Sequence, residues 1–129
     1  MDSRPERVYA ILVRAGRVFV ARYAGAEGLP GGVFRPLAED RKVELRAHLY
    51  DQLGIDARAI WAQGAFSYRH PIEERERFSG FYTVWDWEGE VPAEAGRWLT
   101  AEAVAQADVV PSLRVLLLTV LNTVALRTR

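Results

Sequence analysis

The sequence predicts a single α/β domain, a mixed β-sheet with helices on both faces, on three observations. Two β-branched and aromatic runs open the chain around a turn-forming tetrapeptide; a long stretch of helix formers without Gly or Pro follows; two further strand-like runs precede two more helical segments. The resulting order, β-β-α-β-β-α-α, interleaves strands and helices, and such chains enclose a sheet between helical layers. The 129 residues, half of them apolar, suffice for one core, so one domain over 1–129 is expected.

Residues 8–13 and 18–23 read as paired strands, with Arg14-Ala15-Gly16-Arg17 as the hairpin loop. Residues 24–32 are small and turn-rich and end in Leu29-Pro30-Gly31-Gly32. Proline fixes one dihedral there and the glycines admit conformations that other residues avoid, so a tightly shaped loop is expected. Residues 39–53 predict a helix that stops at Gly54. Residues 59–66 and 78–87 read as strands joined by the polar loop 67–77, with Glu88-Gly89-Glu90 closing the second and residues 97–99 adding a short third. Strict alternation would place Trp85 and Trp87 on one sheet face and Asp86 on the other, a candidate dimer patch if that face is exposed. Residues 100–107 predict a short helix capped by Thr100. Residues 112–126 predict a last helix capped by Ser112, apolar almost all round and so packed into the body or against a partner such as a second copy.

Composition narrows the function. The 17 basic and 17 acidic residues cancel, which removes the positive field that a polymeric nucleic acid or an anionic membrane would require. The absence of cysteine excludes disulfides, thiolate metal sites and a cysteine nucleophile. The first residues carry no apolar signal core, and no apolar run is long enough to span a bilayer, so a cytoplasmic location is expected.

Leu29-Pro30-Gly31-Gly32, a helix, then Leu53-Gly54-Ile55 resemble the frame of the Nudix box, and the opening hairpin and Trp98-Leu99-Thr100-Ala101-Glu102 resemble its flanks, so the likeness spans nearly the whole chain. The resemblance implies a Nudix-type α/β/α sandwich and attack of water on a pyrophosphate linkage, with magnesium neutralising the phosphate oxygens. It also implies a small nucleotide or related diphosphate as ligand. Counting back from Gly54 puts Glu39 on the first box glutamate, Ala47-His48 on Arg-Glu and Asp51-Gln52 on Glu-Glu, with one residue inserted between Gly32 and Glu39. The insertion belongs in the loop, because inside the helix it would rotate every later side chain by about 100°.

Of the three acids expected in the second half of the box only Asp51 remains. Gln52 offers a neutral oxygen, His48 a nitrogen ill suited to magnesium, and Ala47 stands where the resemblance places an arginine that ties loop to helix. Glu44, His48 and Asp51 nonetheless fall at i, i+4 and i+7, with Asp40 on the same side. Two readings fit: an ordinary solvated face, or a site for Mg2+ or Mn2+, or for zinc through His48. The candidate catalytic residues are then Glu39, Glu44 and Asp51, and the candidate metal ligands His48, Asp51, Glu44 and Gln52. In the loop, Glu73, Glu74 and Glu76 are candidate acids, and Arg69, Arg75 and Arg77, with Tyr68 for stacking, are candidate substrate contacts; a merely solvated loop is the alternative. Function divides likewise between an atypical pyrophosphohydrolase and a Nudix-fold protein that binds a nucleotide or a partner without catalysis.

Overall fold

The computed structural model describes residues 4–127, with side chains as far as residue 123. Strands β1 (Arg7–Arg14) and β2 (Arg17–Tyr23) form the expected hairpin. Its two-residue turn puts Ala15 and Gly16 at φ 52° and 73°, the left-handed pair whose twist suits a tight hairpin. The loop expected over 24–32 instead contains β3 (Ala26–Gly28), and β4 (Gly31–Val33) follows it. A second tight turn at Ala24 and Gly25, both at positive φ, returns the chain onto β2.

Helix α1 (Arg41–Leu53) begins two residues later than the sequence indicates, because Asp40 is its N-cap and accepts from the backbone N–H groups of Lys42 and Val43. Gly54, at φ 69°, caps the other end as expected. Strands β5 (Asp56–Tyr68) and β6 (Arg77–Glu88) are longer than anticipated and shorten the loop to 69–76. A 3-10 turn at Ala93–Ala95 leads into β7 (Gly96–Leu99). Helix α2 (Ala101–Gln106) is capped by Thr100 as read from sequence, whereas α3 (Pro111–Arg127) starts on its proline, so Ser112 lies inside the first turn and is not the cap. Val124 and Leu126, counted in the apolar helix, lie outside the described side chains.

The sheet runs β3-β2-β1-β6-β5, with β4 beside the start of β1 and β7 beside β2. Among the described residues only β1 and β6 pair in parallel, and β1 is buried throughout residues 8–13, as a strand covered on both faces must be. Leu45, Leu49 and Leu53 of α1 pack on Val8, Ala10 and Leu12, while Leu113, Leu117 and Val120 of α3 pack on Tyr9, Ile11 and Val13. The predicted three-layer arrangement, a mixed sheet between helices, is therefore present. Trp85 and Trp87, however, do not share a face: Trp87 joins the α1-side core and Trp85 packs with the α3 side. The pairing jumps from Ala59↔Asp86 to Ile60↔Val84, so Trp85 is bulged out of register and the alternation resets.

Candidate functional site

Strand β4 carries the box glycines to the N-terminal end of β1, where Gly31 pairs with Tyr9 and Gly32 with Val8. A side chain at Gly31, which sits at φ 143°, would collide with the Val8 carbonyl oxygen. At Gly32 a Cβ would stand 3.0 Å from the His48 ring, so the loop lies directly against α1. Three side chains of α1 fix this contact. Gln52 brackets the Gly31 peptide, accepting from its N–H at 3.2 Å and donating to its carbonyl at 2.8 Å. An amide can do both because it holds a donor and an acceptor, whereas an ionised carboxylate can only accept. His48 donates from Nε2 to the Val33 carbonyl at 2.8 Å. Glu44, its side chain 9% exposed, accepts from Arg35 Nε at 2.9 Å and Nη2 at 2.5 Å. That hydrogen-bonded guanidinium holds the Glu44 carboxyl below the usual carboxylate range, against the opposing pull of burial.

The tie between loop and helix that the resemblance assigns to an arginine, absent here because Ala47 stands in its place, is made instead by Arg35 of the loop and Glu44 of the helix. Glu39 precedes the cap, outside the helix and exposed, and Asp40 is occupied as the N-cap. Asp51 is exposed and in no ion pair among the described residues. Glu44, His48 and Asp51 do share the predicted helix, but their polar groups are not brought together. Among the described residues no group of three or more His, Asp or Glu is disposed to hold a metal ion.

The loop 69–76 is pinned as well. Glu73 accepts from Arg7 Nε at 2.5 Å and Nη2 at 3.3 Å, stands 3.8 Å from Arg77, and is held below the usual carboxylate range chiefly by the Arg7 bond. Arg77 also approaches Glu6, at 3.6 Å. Arg69 donates to the Glu73 carbonyl at 3.1 Å, and Arg75, Glu74 and Glu76 are exposed. Tyr68 is buried, edge-on to Tyr9 at 5.6 Å between ring centroids.

Sequence reasoning passed over His70, which is 1% exposed, stacked on Tyr9 at 5.0 Å and met edge-on by Tyr23 at 4.5 Å. It donates to the Leu29 carbonyl at 3.0 Å while Nδ1 accepts from the Ile72 N–H at 3.3 Å, so the ring is neutral and its burial depresses its pKa. The same burial pushes the Tyr23 hydroxyl up to about 12. Beside this cage lies a cleft of about 220 Å³ whose walls include Glu27, Tyr68, Arg69, Asp108 and Val109.

No family model matches the sequence, and no curated protein sequence matches it. Solved structures do match the fold. A mutator MutT protein from Bacillus halodurans superposes with TM-score 0.72 at 16% identity, covering 92% of this chain and 82% of that one. A MutT Nudix hydrolase from Burkholderia pseudomallei gives 0.67 at 20% identity, over 86% and 93%. The E. coli ORF135 protein gives 0.66 at 24% identity, over 88% and 85%. Box ends, strand order and superposition agree: this chain has the Nudix fold.

Proposed function

We propose that this chain binds a small nucleotide or related diphosphate and that its box helix is a structural clamp, not a magnesium cradle. The observation that carries the reading is the use made of positions 44, 48 and 52, which are bonded to Arg35 of the preceding loop and to Val33 and Gly31 of β4. The donor set does not fit a magnesium or manganese ion. Hard divalent cations favour several oxygen ligands bearing charge; here Gln52 carries no charge, Gln52 and His48 are both directed to peptide groups, and Glu44 is neutralised by Arg35. The 220 Å³ cleft is smaller than most whole-ligand pockets and suits a planar base, with exposed Arg69 in its lining for a phosphate and Asp108 as an acceptor for a ring amine, while Glu27 beside them is engaged by Arg97.

The test is a panel of nucleoside diphosphate sugars, dinucleoside polyphosphates and nucleoside triphosphates, examined for binding and turnover with magnesium, with manganese and with a chelator. The expected outcome is binding that a chelator leaves unchanged and no turnover. A second reading, residual pyrophosphohydrolase activity, is favoured by the fold of the matched hydrolases and by the exposed carboxylate of Asp51, in no ion pair among the described residues. Metal-dependent turnover abolished by Asp51→Asn would establish that reading in place of the first.

A further inference from the structure

At the end of the sheet away from the box, Arg14 and Arg17 are direct cross-strand partners, the last pair before the hairpin turn. Like charges so placed oppose each other, since Cβ atoms of such pairs lie about 5 Å apart. Neither arginine has a carboxylate partner among the described residues. Both line a cavity of about 340 Å³ with Val91, Trp98 and Glu90, and no ion pair joins Glu90 to either arginine. Arg14 is held in place, its guanidinium 4.0 Å above the Trp87 ring, and Trp87 stacks on Trp98 at 6.0 Å and 15°. The Trp87 indole N–H is buried and meets no acceptor among the described residues. Tyr9, which pairs with the box glycine, is five residues back along β1, roughly 16 Å away.

We propose that this cavity is a second ligand site, separate from the box end, for a small planar aromatic anion of the nucleoside monophosphate class. An anion between Arg14 and Arg17 removes their mutual repulsion and receives hydrogen bonds from both planar forks. Trp98 gives the wall an aromatic surface for the base, and Glu90 is an acceptor for an exocyclic amine. The volume lies within the range of small-ligand pockets.

The probe is adenosine 5′-monophosphate, titrated into the full chain by calorimetry and by tryptophan emission, with adenosine and inorganic phosphate alone as separate arms. The monophosphate should bind and change the tryptophan emission, and each half alone should bind at least tenfold more weakly. Arg17 is exposed, so Arg17→Glu should fold and lose at least tenfold in the affinity read by tryptophan emission, a signal from Trp98 in this cavity that the box-end cleft, with no tryptophan in its lining, does not share. That affinity unchanged in Arg17→Glu, or lost instead in Arg69→Glu at the box-end cleft, overturns the proposal, and the latter result supports the box-end cleft of the proposed function. Absence of any binding overturns it too.

Discussion

The two ends of β1 treat charge in opposite ways. At the box end, where the Nudix resemblance would leave carboxylates free for a cation, Gln52 and His48 are bonded to β4 and Glu44 to Arg35 of the adjacent loop. At the hairpin end two arginines face each other, and neither is paired with a carboxylate among the described residues. A polar group satisfied within the protein lowers the energy of the folded state but has little left for a ligand. A charge left opposed to its like raises that energy, and a ligand of opposite sign gains what the protein forgoes. The contrast sets bonds made within the fold at the box helix against charge that the fold leaves unpaired at the hairpin.

The largest effect should come from Gly31→Ala, which breaks the box end at its closest approach. The added Cβ meets the Val8 carbonyl oxygen and the φ of 143° is unfavourable to alanine, so a loss of roughly 2–4 kcal/mol is expected in urea unfolding. A variant as stable as the parent would show that β4 does not hold the loop on β1. Next is Gln52. Gln52→Leu removes both bonds to the Gly31 peptide and should cost about 1–3 kcal/mol. Gln52→Glu sharpens the point, because it sets a carboxylate against the Gly31 carbonyl. Its melting temperature should fall in chelator and recover with added magnesium, while the parent shows no such dependence. Equal dependence in both proteins would restore the cation to the native box.

These variants also mark where sequence sufficed and where it did not. Local signals specified the hairpin turn, the Thr100 cap and the Gly54 stop, because each is decided by the residue and its immediate neighbours. The helix start was misplaced because Glu39 and Asp40 are both plausible openers, and only the cap bonds to Lys42 and Val43 distinguish them. The faces of Trp85 and Trp87 were misjudged because alternation holds only without bulges, and a bulge is set by cross-strand pairing. At the site, the loss of box acids was plain in the residues, but the Arg35–Glu44 tie needed the loop's path to be known. His70 had no legible signal: its cage is assembled from Tyr9, Tyr23 and Leu29, far away in the chain.

His70 tests the comparison by pH. Its folded-state pKa is depressed, chiefly by burial, so the unfolded chain takes up a proton more readily. Stability from this group is full above the usual imidazole value of about 6.5 and declines as pH falls from there through the lower folded value. The carboxylates of Glu44 and Glu73, also depressed, add their own loss only at more acid pH, below the ordinary carboxylate range. Unfolding free energies between pH 7 and 5 should therefore slope downward in the parent and be flatter in His70→Gln. Parallel slopes would assign the dependence elsewhere.

The smallest effect has the opposite sign. Removing one of the opposed hairpin arginines by Arg17→Ala should stabilise the chain by a few tenths of a kcal/mol at low salt, since it ends a like-charge cross-strand contact at an exposed position. The gain should vanish near 1 M salt, where screening already reaches about 3 Å and the parent no longer feels the repulsion. Equilibrium unfolding of the two proteins at both ionic strengths reads this directly. A destabilised Arg17→Ala would mean that the guanidinium is held by contacts within the fold, and the hairpin would then resemble the box end in engaging its own charge.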